Sequence, residues 1–265
     1  MVALCKKPFE VLSPKPATSP SVSPWTARQR TFSLQTQPLV TTGISEHYIQ
    51  TVAAVSARAN ATDPLMTLVQ AEALGLEKGP RSAEVFLKGM WALSIARLRA
   101  KIAHGAFIAE AANFAAVLCF EPRLAHWEPP SAADQPIYGA ERPVLNGFLT
   151  QLRDMKRRHL SPVAEKMSGG RYWELCLVTR DPAREYVPGA VRAVVVPFIE
   201  AMARDEIPWP DGTYQGPVPV ELCASSRRAR DVYEHLGFEE VGCFETSGRK
   251  SWLMIYTGSS NKLSA

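Results

Sequence analysis

The sequence has no long hydrophobic run. Its longest apolar stretches, Phe114–Phe120 and Ala193–Ile199, stop far short of the ~20 residues that a bilayer span needs, which argues against a transmembrane chain and a membrane partner. Cysteine is sparse and unpatterned. Cys5, Cys119, Cys176, Cys223 and Cys243 form no Cys-x-x-Cys pair and no cluster with histidine at zinc-like spacing, so no structural metal is expected. Several of them sit in apolar runs, where a free thiol behaves as a small hydrophobe, and a reduced, cytoplasmic setting follows. The five histidines, His47, His104, His126, His159 and His235, are scattered and read as structural or surface residues. An excess of one charge is also missing: 30 Lys and Arg against 26 Asp and Glu leave +4, which makes no case for nucleic acid.

What is present suits a globular chain. Its 265 residues are 46% apolar and its mean hydropathy is −0.10, enough for a sizeable core. Acids are rare at the start, where Glu10 stands alone before Glu46 and Pro and Ser crowd the segment to about Trp25. Such a composition cannot offset its ordering entropy, so residues 1–35 are expected to be a flexible tail without the apolar run of a secretory signal. Residues 36–258 would form one domain and 259–265 a short C-terminal tail.

Helical spacing marks Gly43–Arg58, then a second helix capped by Asp63-Pro64, then Ser82–Lys101. Gly105–Ala111 and Phe114–Phe120 around Ala112-Asn113 read as a β-hairpin. The Pro-rich segment 122–143 reads as a lid, a substrate wall or a surface insertion. Leu145–Lys166 returns to helix, and its Lys156-Arg157-Arg158-His159 run reads as a solvated face. A strand over Tyr172–Thr179 is expected next, then a helix from Pro188 to about Arg204 that Pro197 should bend or break. The strand Val218–Cys223, the helix Arg227–Leu236 stopped by Gly237, and the strand pair Phe238–Phe244 and Ser251–Tyr256 complete the chain. This order predicts an α/β domain whose mixed, mostly antiparallel sheet is flanked by helices.

Two segments carry the chemistry. In Val220–Phe238 a strand feeds a helix through Ser225-Ser226, with Ala229, Val232, Tyr233 and Leu236 on one expected inward face. In Tyr172–Val191 a strand turns into a helix that starts Pro188-Gly189-Ala190, and small residues at a helix start let N–H groups reach an anion. Together, and in this order, they resemble the GNAT superfamily of acetyl-CoA-dependent N-acetyltransferases, in particular its fungal members. The likeness is strongest over Tyr172–Tyr256 and rests most on Ser226-x-x-Ala229-x-x-Val232-Tyr233-x-x-x-Gly237-Phe238.

The resemblance implies acetyl-CoA as cosubstrate and an amine as acceptor, by preference a small molecule. It implies that Tyr233 is the general acid for the leaving thiolate, and that backbone at Val178, Thr179 and Arg180 bonds the pantetheine arm. The family's Arg/Gln-x-x-Gly-x-Gly/Ala loop maps onto Arg184, Val187 and Gly189, with Ala190 and Val191 following, or one residue later onto Glu185, Pro188 and Ala190. Either way the first glycine is lost. Ser226 stands where the family often has Asn. A base must take the ammonium's proton, and Glu174 holds the family's usual place for one, with Glu110 and Glu121 as rivals. Otherwise Glu174 is a scaffold carboxylate paired with an Arg such as Arg171 or Arg180. Trp127, Tyr138, Trp173 and Trp252 would line an aromatic pocket or pack the core. The other functional class is a repurposed GNAT fold, a tailoring enzyme or acyl-binding protein of secondary metabolism with weakened CoA binding, which the altered loop favours.

Overall fold

The computed structural model describes residues 38–76, 82–125, 141–213 and 216–258. The expected tails, the greater part of the 122–143 segment, and Trp127 and Tyr138 with it, lie outside the described residues.

The first three helices begin where the sequence offers a cap. Ser45 Oγ accepts from Tyr48 N at the start of α1 (Glu46–Thr62). Asp63 accepts from Leu65 N and Met66 N, both at 2.9 Å, with Pro64 opening α2 (Pro64–Ala73). Ser82 caps α3 (Ala83–Ala103). These oxygens satisfy amides that a helix start leaves without partners. The hairpin follows as β2 (Phe107–Ala111) and β3 (Ala116–Leu124). Its turn has four residues rather than two, and Ala112, Asn113 and Phe114 all adopt left-handed φ between 53° and 65°. Phe114 N donates to the Glu110 carboxylate at 2.6 Å and its ring meets Tyr48 edge-on, contacts that offset the strain. A three-residue strand the periodicity does not reveal, β1 (Val40–Thr42), pairs with β2.

The helix expected over Leu145–Lys166 is interrupted. α4 (Pro143–Met155) and α5 (Ser161–Ser168) flank a π-helical turn at Lys156–Leu160. Pro162 has no N–H to give the carbonyl four residues back, and the ladder slips so that Ser161 N donates to Lys156 O. β4 (Arg171–Arg180), α6 (Ala190–Ala203), β5 (Val220–Ala224), α7 (Arg227–His235), β6 (Glu239–Thr246) and β7 (Arg249–Tyr256) follow in the expected order. Pro197 does not break α6.

The seven strands form one sheet in the order β1-β2-β3-β4-β5-β7-β6. All neighbours are antiparallel except β4 and β5. One face is covered by α1 and α3, whose Val52, Val55 and Leu98 meet Ile108, Val117 and Cys119. The other takes α6, with Phe198 against Phe107 and Phe120. Trp173 is buried between Phe107 and Trp209, so it belongs to the core and not to a pocket wall. No helix among the described residues is long and apolar enough to cross a membrane.

Candidate active site

The sheet opens in the middle. β4 and β5 pair only at Trp173 with Val220 and Glu174 with Glu221, although β4 runs on to Arg180 and β5 to Ala224. A bulge accompanies the divergence: Phe120 and Cys119 of β3 face Leu175 and Leu177, leaving Cys176 unmatched. Such an extra residue bends its strand and increases its twist. Asp181 N donates to Ala115 O at 2.9 Å. Antiparallel alternation from that bond directs the amides of Thr179 and Leu177 onto β3 and those of Arg180 and Val178 into the opening. The two expected backbone donors are therefore divided: Val178 faces the gap, and the Thr179 amide serves the ladder.

The open end of the gap leads to a cleft of about 630 Å³ between the starts of α6 and α7. Val187, Gly189, Ala190 and Val191 line it at the first turn of α6. Gly189 is the N-cap residue at φ 77°, and no side chain caps α6, so its first amides and dipole are available to an anion. Val187 is absent from the left-handed residues, so the missing first glycine costs the loop no backbone strain. Arg180, Arg192, Arg227 and Arg228 also line the cleft, against Asp231 as its one acid.

Two expected site residues, and Val232 of the expected inward face, sit differently from expectation. Arg184 does not line the cleft; its guanidinium bonds Asn113 O and lies 3.7 Å from Asp181. Ser226 is also outside the lining and caps α7 by accepting from Ala229 N at 3.2 Å. Val232 is 41% exposed and faces the cleft rather than the core. The three arginines after the helix starts were missed by motif matching, although Arg227-Arg228 immediately after a Ser cap is a legible sign of an anion-facing turn.

Tyr233 lies partly buried on α7, edge-on to Phe238 at 6.1 Å. Burial holds its proton on, reinforced by the nearby Cys223 and Asp63. Its neighbour in the fold is the junction where Ser225 Oγ donates to Asp63 Oδ2, which ties the start of α2 to the end of β5.

At the closed end of the gap, Glu174 and Glu221 stand side by side at the last paired register. Lys156, the first residue of the π turn, is between them: Nζ is 2.9 Å from Glu221 Oε2 and 3.4 Å from Glu174 Oε1. Its side chain is 6% exposed, so the basic run is not wholly a solvated face; Arg157 and Arg158 alone are exposed. Arg123 Nε donates to Glu174 Oε2 at 3.2 Å, and Arg123 and Lys101 both hold Glu121. The cationic partners of Glu174 are thus Arg123 and Lys156. Arg171 instead bonds Thr213 and Asp211, and Arg180 stacks on Tyr186. The rival Glu110 is occupied by Thr41 and Phe114 N. Burial raises the proton affinity of Glu174, but Lys156, Arg123 and Lys101 outweigh it and hold the carboxyl low. For Glu221 burial prevails over Lys156, and with Glu174 beside it the carboxyl rises to about 7. Glu221 inside an otherwise apolar strand was the sequence signal for a buried partner, since a buried charge must be paired.

No protein-family model and no curated protein sequence matches the chain. Solved structures do. Arylalkylamine N-acetyltransferase 2 from Aedes aegypti, 12% identical, superposes with a TM-score of 0.55 over 83% of this chain and 99% of its own. The polyamine N-acetyltransferase of Drosophila melanogaster, 13% identical, gives 0.51 over 82% and 98%. An agmatine N-acetyltransferase, also 13% identical, gives 0.50 over 82% and 98%. At such identities the likeness is one of architecture, and the architecture is the GNAT-like fold, with its mixed, mostly antiparallel sheet flanked by helices.

Proposed function

We propose that the protein is an acetyl-CoA-dependent N-acyltransferase that acts on small amines by direct attack. The observation that carries this reading is the gap between β4 and β5 opening into a cleft lined by an uncapped helix start and four arginines. Those residues fit acetyl-CoA. The amides at Val187–Val191 with Arg180, Arg192, Arg227 and Arg228 suit a pyrophosphate. The Val178 amide, turned into the gap, suits the pantetheine arm. Six residues at ~3.3 Å separate Glu174 from Arg180 by roughly 20 Å, so anion and reacting ends lie well apart. Bound there, acetyl-CoA would supply an activated thioester.

The chain's own residues supply the rest. Glu174, partly open at the closed end of the gap, takes the proton that an ammonium must lose before it can attack. Tyr233, held protonated beside Cys223, gives one to the departing thiolate. The solved neighbours named for agmatine, polyamines and arylalkylamines support a small amine as acceptor. Calorimetry with acetyl-CoA and CoA tests the cosubstrate, followed by transfer assays with agmatine and an arylalkylamine. Micromolar binding and acetylated amine are expected. An acyl-binding or repurposed protein, which the displaced Arg184 would suit, binds acyl-CoA without transfer to any amine.

A further inference from the structure

The group at the closed end of the gap holds one feature that a scaffold does not need. Glu221 is 1% exposed, and its Oε2 makes no aligned hydrogen bond although Lys156 Nζ is 2.9 Å away. A buried carboxylate with an imperfect partner is costly, and an apolar residue of similar size would serve the sheet at least as well. The three groups also form an ordered series. Glu174 is 20% exposed, Lys156 is 6% exposed, and Glu221 is innermost.

Resting on the acyl-transfer reading, we propose that Lys156 and Glu221 form a proton relay behind Glu174, with Glu221 as its terminal store. The acceptor's ammonium loses one N–H proton to Glu174. Glu174 passes it to Lys156 Nζ as Nζ gives one of its own to Glu221 Oε2. Lys156 ends as the ammonium it was, Glu174 as a carboxylate and Glu221 as a carboxylic acid. The freed nitrogen lone pair forms the new N–C bond, the acylated nitrogen releases its second N–H proton to water, the C–S bond breaks, and the thiolate takes the proton of Tyr233. Solvent restores Tyr233, and Glu221 returns its proton to solvent as the product leaves.

Neither Lys156 nor Glu221 touches the reacting atoms; both are positioning residues that act through Glu174. At its two ends the directions of proton affinity suit the series: Glu174, held low, does not retain a proton, and Glu221, raised, does; Lys156, which despite its burial both carboxylates hold protonated, gives and receives in one concerted exchange. The groups facing Glu221 are Lys156 from the π turn, Glu174 and Tyr172 from β4, Arg123 from β3 and Cys223 from its own strand.

The test has two arms. Carbon-13 carboxyl titration of the free protein should show a glutamate titrating near neutrality, absent from Glu221→Gln. Acetyl transfer from acetyl-CoA to agmatine and to an arylalkylamine is then followed against pH. Glu221→Gln should lose the neutral acid limb and about 100-fold in rate at pH near 7, the usual worth of a positioned base. Lys156→Arg keeps the charge but cannot give up a proton, so it should show the same loss while retaining the carboxyl titration. Wild-type rates in a folded Lys156→Arg, or no carboxyl titrating between about pH 5 and about pH 9, overturn the relay. So does a Glu221→Gln deficit equal at every pH and matched by a lost melting temperature. If either single variant fails to fold, the other decides. Failure of the relay alone leaves transfer by the wild type intact. Absence of transfer from the wild type, with the titration present, removes the acyl-transfer reading and the relay together.

Discussion

Replacing Lys156 by Met removes an ammonium from between two carboxylates and leaves the aliphatic volume almost unchanged. Lys156 is buried, 2.9 Å from Glu221 and 3.4 Å from Glu174, with its charge 5.7 Å from the Tyr172 ring. Breaking one side of a buried ion pair costs ~3–5 kcal/mol. For a domain of this size each kcal/mol is worth ~2–4 °C, so the melting temperature should fall by roughly 6–20 °C near neutral pH. The deficit must also depend on pH. Glu221 already binds its proton more tightly folded than unfolded, rising from 4.5 to about 7, so its contribution is a penalty. That penalty is absent below about 4.5 and complete above about 7. Without the ammonium its affinity rises further, and the gap between variant and wild type should widen by ~1.4 kcal/mol for each pH unit above about 7. The assay is urea unfolding at several pH values, with Lys156→Met/Glu221→Gln alongside to recover much of the loss. A single variant too unstable to fold beside a folded double variant agrees with this account. A melting temperature within ~2 °C of wild type, or a deficit flat across pH, refutes it.

Other outcomes follow from the same geometry. Tyr233→Phe should lower kcat at least 10-fold while leaving acetyl-CoA affinity near wild type, since only a hydroxyl is removed; unchanged kcat would make the residue a packing contact. Gly189→Ala should cost ~1–2 kcal/mol of stability, because φ is 77° there while the added Cβ meets nothing within 4 Å, and a melting curve that does not move would refute this. Arg227→Ala/Arg228→Ala should weaken CoA binding several-fold and flatten its salt dependence in calorimetry, whereas unaltered binding would place the anion elsewhere. Asp181→Asn should cost ~2 kcal/mol, because Arg58 donates to both carboxylate oxygens at 2.9 and 2.6 Å. Burial opposes the Asp181 charge, but Arg58 and the Ala183 amide hold its proton affinity below 3.8, so the loss should shrink in acid below about pH 4.

Local rules account for most of the fold's legibility. Ser45, Asp63-Pro64 and Ser82 announce helix starts because a short oxygen or a fixed φ meets a local need of the backbone, and each helix begins there. β-branched and apolar runs mark β2 through β7 for similar reasons. What escapes is set by partners distant in sequence. β1 has three residues, too few for a pattern, and exists because β2 offers an edge. The π turn arises from Pro162 acting several residues upstream. Lys156 reads as surface because its neighbours Arg157 and Arg158 are surface, and its true context, Glu174 and Glu221, lies in two strands that assemble only on folding. Site reading divides the same way. Val187, Gly189, Ala190 and Val191 are found in the cleft because loop and helix start are contiguous. The course of the Arg184 guanidinium depends on the β2–β3 turn, some seventy residues away.

The two-rung junction of β4 with β5 also bears on how the molecule moves. A sheet ordinarily behaves as one elastic plate because every strand is stitched to the next along its length. Here β1–β4 and β5–β7 are separate leaves, joined at Trp173–Glu174 and Val220–Glu221, with Lys156 pinned across the joint and the Ser225–Asp63 bond as a second tie near the open side. The leaves therefore share a hinge line rather than a seam. Amides flanking the gap, Val178 among them, should exchange with solvent far sooner than those of β3 or β7, which are paired along most of their length. A molecule wedged between the leaves would restrain that motion by acting as the missing rungs, so slowed exchange across both leaves at once would be its mechanical signature.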